Sequence, residues 1–299
     1  MRLLRRIVLS AAAAPALLLA SPGAALAISV NEDFKPQNEF KLEPWVELKL
    51  GPFDMSINKA VMYLAITCVL TCVAMVWIAN RMQAKPNRVQ TAVEALYVTM
   101  RDNIAGGNMD ARTAKRWFSF VATLFMFIWI SNMLGYIPLP TNTEHKVNVL
   151  GLELPTLAIY AATANLAVPL ALTLMVWLAY HYEGVRAKGP VKYLKGWVPA
   201  GVEGPAVFPI FLIEVISHFV RLVSLSVRLF ANILAGHLLI LFMGGGLAIL
   251  LGLEIVGVFT LPLAIAFYIF EVGLVATLQA FIFATLASIY FGGAVAEEH

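Results

Sequence analysis

Two apolar runs in the second half of the chain constrain its fold more than any other feature. Val207–Met243 and Leu247–Phe291 are separated only by Gly244, Gly245 and Gly246. A helix of about 20 apolar residues already crosses a hydrocarbon core of about 30 Å. Runs of this length imply strongly tilted helices, or helices lying partly in the membrane plane. The three glycines read as a turn between them. Shorter apolar runs precede them at Ile57–Asn80, Trp117–Pro140 and Thr156–Tyr182. All are continuous rather than alternating, so the spanning elements are helices, not barrel strands. Composition agrees: 60% of residues are hydrophobic and 13% charged, where a soluble domain carries roughly a quarter charged. The expected fold is an all-α membrane protein with about five membrane-embedded helices. The last two are long and tilted and form a hairpin.

The first 27 residues read separately. "MRLLRR" is basic, "IVLSAAAAPALLLA" is a short apolar core, and small residues at Ala25 and Ala27 close the segment. This is the pattern of a secretory signal peptide cut after Ala27. An organellar presequence is the alternative, because the segment contains arginine and no acid. Losing Arg2, Arg5 and Arg6 would leave 18 basic against 18 acidic residues, so net charge gives no sign of nucleic-acid binding. Residues 28–56 are polar and broken by Pro36, Pro44 and Pro52, an extracytoplasmic lead-in to a membrane domain over 57–299. Cys68 and Cys72, inside the first run, read as small buried hydrophobes rather than a metal or redox pair.

Between the first two runs, Val89, Ala92, Val93, Leu96, Tyr97 and Met100 recur at helical spacing. They predict one amphipathic helix over Arg88–Asn103, lying on the membrane surface or against a partner. Gly106-Gly107-Asn108 ends it. Loop charges set the orientation. Arg81, Lys85, Arg88, Arg112, Lys115 and Arg116 crowd the first long loop, and Arg186, Lys188, Lys192 and Lys195 the loop after the third run. The loop at 141–155 holds only Lys146. Both basic loops are then cytoplasmic, or on the matrix side, with the N-terminus outside and the C-terminus inside.

Within the last two runs the polar residues carry the chemistry. An arginine at mid-membrane costs about 2.5–3.5 kcal/mol on the most lenient scale. Arg228 lies too far from either end of its run to snorkel out. At about 100° per residue, Glu214, Arg221, Ser224 and Asn232 fall within about 40° of its direction. One face of an apolar helix thus carries a carboxylate, two guanidiniums, a hydroxyl and an amide. His237 points nearly the opposite way, and His218 lies about 80° off. The two histidines read either as structural or as the lining of a proton path. The last run adds Glu254, Glu271 and Gln279. Glu271 and Gln279 are eight apart, about two turns, and so lie roughly on one side. Straight antiparallel helices would set Arg228 level with Pro262–Ala264, so meeting Gln279 requires an offset or a bend. A guanidinium is effectively never deprotonated, so Arg228 suits a fixed charge that attracts a carboxylate and blocks a proton from passing straight through.

These residues resemble subunit a of the F-type ATP synthases. "LVSLSVRLFANILAGH" is similar to the family's signature around its essential arginine. "TLQAFIFATLASIYF" resembles its final-helix motif, "SNMLGYIP" its second-span exit, and the closing "EEH" recurs in bacterial members. The resemblance covers Ile57 to His299. It implies that Arg228 is the family arginine, with Ser224, Asn232 and Gly236 as its neighbours. Glu214 matches an acidic residue on the same helix, His237 a position that is His or Glu among relatives, and Gln279 the final-helix glutamine near the arginine. Many relatives carry an ionisable residue seven positions before that glutamine; here that position is Val272, and Glu271 is one step away. Leu222 replaces a frequent proline.

The resemblance implies a non-catalytic stator subunit that offers two offset proton half-channels to a ring of c subunits. The inlet would pass His237, Glu254 and Glu271, and the outlet Glu214 and His218, with Arg228 between them. Peripheral-stalk b subunits, the remaining synthase subunits and the lipid bilayer are the other implied partners. No cofactor, metal or nucleic acid is expected, and the sequence contains no GxxxxGK[ST] phosphate loop. Moving one charge through 100 mV supplies about 2.3 kcal/mol, so several protons are needed per ATP. The expected location is a bacterial inner membrane, or an organellar one if the leader is a presequence. The rival readings are a self-contained secondary proton or cation transporter, for which the chain shows no internal repeat, and a scaffold of a respiratory complex.

Overall fold

The computed structural model describes residues 41–296, with gaps at 43, 51–52, 55, 84, 140–145, 150–151, 156–158, 199–201, 203 and 247–253. The segment expected to be a leader and most of the lead-in lie outside the described residues, as do residues 247–253, which follow the Gly244–Gly246 turn expected between the last two helices. Eight α-helices are described: α1 Lys59–Arg81, α2 Arg88–Val98, α3 Ala111–Gly135, α4 Ala167–Lys188, α5 Pro190–Lys195, α6 Val207–Leu241, α7 Glu254–Phe270 and α8 Ala276–Val295. π-helical segments follow α2 at Thr99–Gly106 and α6 at Phe242–Gly246, and a third, Glu271–Val275, joins α7 to α8. Two short antiparallel hairpins, β1 Lys49–Leu50 with β2 Phe53–Asp54 and β3 Lys146–Val149 with β4 Leu152–Pro155, occupy polar connections. They leave the all-α character of the membrane part intact.

Among the described residues, four helical stretches are long and apolar enough to cross a membrane: Lys59–Arg81, Ala111–Gly135, Gly204–Gly246 and Val256–Val295. The last two run for 43 and 40 residues, and at 1.5 Å per residue each is about 60 Å long, about twice an upright crossing. The third expected membrane-embedded helix, α4, has 22 residues and starts at Ala167 rather than Thr156. Asn165 accepts the amide of Ala167 at 3.0 Å, and Pro169 falls in the first turn, where its missing N–H costs nothing. Apolarity alone could not place that start. Likewise α3 begins at Ala111, before its apolar run, because Asp110 caps it by accepting the amides of Arg112 and Thr113 at 3.1 and 3.2 Å.

One expectation about a face needs correction. Cys68 and Cys72 are exposed on α1, not buried, beside outward-facing Val69, Val73 and Trp77. Lipid is as apolar as a protein core, so an all-apolar helix does not reveal which side is inward. The predicted surface helix is present as α2 and its π-helical continuation, closing at Gly107. Of its apolar residues, Met100 is buried with Ile104 and Ala105, whereas Val89 and Tyr97 face outward.

The chain falls into two compact units. The larger holds residues 39–237 and 268–299. Its core draws Phe125 and Ile128 from α3, Val176 from α4, Leu225, Leu229 and Ile233 from α6, and Ala280, Phe283, Ala284 and Ala287 from α8. The alanines of α8 let neighbouring backbones approach closely, the usual route to helix association in lipid. Trp129 Nε1 donates to Thr277 Oγ1 at 3.0 Å, and Thr163 Oγ1 donates to Asn132 Oδ1 at 2.9 Å. Arg116 at the start of α3 pairs at 2.7 Å with buried Glu183 at the end of α4, which makes these two helices antiparallel. The smaller unit includes residues 238–267. There Thr260 and Ala264 are buried while Val258 and Phe259 face outward. The helical run continues through Gly244 and breaks at Gly245 (φ 163°, ψ −23°).

Gly292 of α8 lies directly against the Asn108 carbonyl, whereas a Cβ at Gly293 would meet nothing within 4 Å. Gly292→Ala is expected to destabilise the chain by about 1–3 kcal/mol, because backbone cannot swing aside. Gly293→Ala should change stability by no more than about 1 kcal/mol, in the stabilising direction. Thermal aggregation of the detergent-solubilised chain, compared between the two variants, checks the difference.

Candidate functional site

The site is built on α6. Its outward face is apolar at Ile216, Val220, Val223 and Val227, which are exposed, and Ser224, Arg228 and Asn232 are exposed with them. The two guanidiniums on this helix differ in kind. Arg221 Nη2 donates to Glu214 Oε1 at 3.0 Å, so its charge is met within the chain. Arg228 makes no hydrogen bond or ion pair among the described residues. Helical spacing put both arginines on one face but could not distinguish them.

The offset between the last helices is present. Asn232, one turn beyond Arg228, donates its Nδ2 to Oε1 of Gln279 on α8 at 3.2 Å. Gln279 is itself buried, and its Nε2 finds no acceptor among the described residues.

A first polar cluster surrounds the C-terminal end of α3. His237 is fully buried, on the side of α6 away from Arg228, as its spacing predicts. Its ring lies over Tyr136, with centroids 4.6 Å apart. Its Nε2 is 3.0 Å from the Gly135 carbonyl and its Nδ1 2.9 Å from the Ile233 carbonyl. A neutral imidazole can donate to only one of these; an imidazolium donates to both. Tyr136 Oη donates to buried Glu271 at 3.0 Å. The Glu271 carboxyl packs on Gly236, where a Cβ would meet its Oε2 at 2.5 Å. Glu271, one step from the family position, therefore joins His237 through Tyr136.

A second cluster lies where α4 ends. His218 is buried, with Nε2 3.6 Å from Glu214 Oε1 and Nδ1 3.0 Å from Tyr180 Oη. The His181 ring stands 4.8 Å from that of His218, and its Nδ1 is 2.7 Å from Tyr193 Oη on α5. Because α3 and α4 run antiparallel, the two clusters occupy opposite ends of the bundle. Arg228 lies ten residues after His218 and nine before His237, about 15 and 14 Å along the helix. Glu254 is the first residue of α7, and its side chain lies outside the described residues. No group of three or more metal-ligating side chains occurs among the described residues.

Residues 61–292 match the family described as ATP synthase A chain. The chain belongs to that family. It is 35% identical over 251 residues to ATP synthase subunit a of Rubrobacter xylanophilus, covering 83% of this chain and 88% of that protein. It is 31% identical over 268 residues to ATP synthase subunit a of Parvibaculum lavamentivorans, covering 88% and 94%. It is 34% identical over 255 residues to ATP synthase subunit a of Myxococcus xanthus, covering 83% and 76%. This member of the family is thus a multi-pass membrane protein, and four site residues escaped its sequence reading. Tyr136, Tyr180, His181 and Tyr193 belong to segments read as span ends or loops. Tyr136 lies 135 positions from Glu271, a separation no helical periodicity can bridge.

Gly236→Ala tests the fit at the first cluster. The Glu271 carboxyl is the end of a flexible side chain and yields to the new methyl, so the chain still folds. ATP-driven proton pumping by inverted membrane vesicles is expected to fall by about ten- to a hundredfold at an unchanged amount of assembled chain. Undiminished pumping would mean that this contact is dispensable.

Proposed function

We propose that this chain is the proton-translocating stator subunit of its ATP synthase, carrying protons to and from a rotating ring of c subunits. The observation that supports this best is Arg228: a guanidinium that meets no partner among the described residues, on an outward apolar face midway between two polar clusters at opposite ends. A charge in that setting is costly unless a partner meets it. A carboxylate on a neighbouring membrane subunit is the fitting partner.

In this reading the cluster of Tyr136, Glu271 and His237 is the inlet from outside. Glu271 and His237 exchange protons with water, and Tyr136 holds the carboxyl beside Gly236. A proton delivered here neutralises a ring carboxylate, which can then face lipid. After nearly a full turn the carboxylate reaches the second cluster and releases its proton towards Glu214 and His218. The bare carboxylate is drawn to Arg228 before it is reprotonated. Because the guanidinium keeps its proton, it separates the two paths without conducting between them. The loop-charge bias supports an orientation with Arg116 and Glu183 towards the cytoplasm and the inlet outside. The outward apolar surfaces of α1 and α2 are left for lipid and for the peripheral-stalk b subunits. The leader supports a bacterial inner membrane. Glu254 takes no part in this reading.

Arg228→Ala in the assembled synthase is expected to reduce ATP-driven proton pumping by inverted vesicles to below about a tenth. Immunodetection of this chain and of the c ring in the same membranes controls for assembly. Normal pumping by an assembled variant would contradict the proposal.

A further inference from the structure

Glu271 and Gln279 both address α6. Gln279 accepts from Asn232 at 3.2 Å, and the Glu271 carboxyl sits on Gly236, one turn further along. In an unbroken α-helix, eight steps of about 100° overshoot two full turns by about 80°. The two side chains would then splay apart and could not meet one neighbour. The helix is not unbroken there. Glu271–Val275 is a π-turn, in which the amide of Ala276 donates to the carbonyl of Glu271, five residues back. Such a turn absorbs one residue, so about seven α-helical steps remain, within about 20° of two full turns.

We propose that this π-turn is a register device. One extra residue in the helix brings Glu271 onto the face of Gln279, so that both present to α6, Gln279 at Asn232 and Glu271 at Gly236. The proposal rests on the reading above for what the two residues do, but its geometry stands apart from that reading. Both sides of the turn are held in place. Before it, Glu271 accepts from Tyr136 at 3.0 Å. After it, Asn132 Nδ2 donates to the Ala276 carbonyl at 3.4 Å and Trp129 donates to Thr277 at 3.0 Å. The surplus is taken up on the exposed side: Gly273 and Leu274 are exposed, and a Cβ on Gly273 would meet no atom within 4 Å among the described residues. A helix that merely bent to fill space would need no such alignment of the polar contacts on either side.

The test removes the surplus residue. In the assembled synthase, deletion of Gly273 leaves seven residues from Glu271 to Gln279, which a plain α-helix already aligns, so pumping is expected to stay within about twofold of wild type. Inserting one alanine after Gly273 rotates Glu271 away, and pumping is expected to fall at least about tenfold. An assembled deletion variant that does not pump, or an insertion variant that pumps normally, overturns the proposal. The phase itself is read independently of activity, in a chain carrying Cys68→Ser and Cys72→Ser. There, Gly236→Cys with Glu271→Cys is expected to form a disulfide in at least about fivefold higher yield than Gly236→Cys with Val272→Cys. The reverse order overturns the proposal even if neither length variant assembles. Cross-linking reports the register whether or not protons move, so its failure is distinct from a failure of the Arg228 experiment.

Discussion

The polar residues of α6 centre on one positive charge, Arg228, that meets no carboxylate among the described residues. Two guanidiniums share a face of α6, and the cost of holding either in an apolar setting is several kcal/mol unless a partner meets it. Arg221 is met by Glu214 at 3.0 Å, and Arg228 is not met among the described residues. A guanidinium cannot escape by losing its proton. In the proposed mechanism a neighbouring subunit supplies the carboxylate that Arg228 lacks among the described residues.

Buried His237 and Glu271 follow a different rule, and each finds a partner inside the protein. His237 finds one at the Gly135 carbonyl, in the last turn of α3, where helix geometry leaves carbonyls without an intrahelical donor. Glu271 finds Tyr136 just beyond the same helix end. The end of one spanning helix thus supplies both contacts that hold the first cluster. At the opposite end of the bundle, Tyr180 and Tyr193 serve the two histidines in the same way. The tight packing of α8 through Ala280, Ala284 and Ala287 brings Gln279 within reach of Asn232 between these clusters.

Much of this was legible in the sequence because it depends on local periodicity. The lengths of the apolar runs, the common face of Arg228 and Asn232, and the opposed direction of His237 all follow from 3.6 residues per turn. Features that depend on tertiary contact were not legible. Whether Cys68 faces lipid or core cannot be read from an apolar run, because both environments favour the same residues. Arg221 and Arg228 differ by a contact within one helix, the carboxylate of Glu214 seven positions before Arg221, which a shared face alone did not assign to either. Tyr136 acquires its role only when α3 and the Glu271 segment pack together. The spacing of Glu271 and Gln279 misled in an instructive way: eight residues look like two turns, but they align only because a π-turn takes up one of them.

In the proposed mechanism the two polar clusters are joined only through a partner's carboxylate passing Arg228, so the chain by itself is not a channel. The direct measurement is proton permeability of liposomes holding the purified chain alone, compared with liposomes holding the chain together with its c ring. The account predicts that the chain alone leaks no more than empty liposomes and that conduction under an imposed membrane potential appears only with the ring. Proton conduction by the chain alone would contradict it and favour a self-contained transporter.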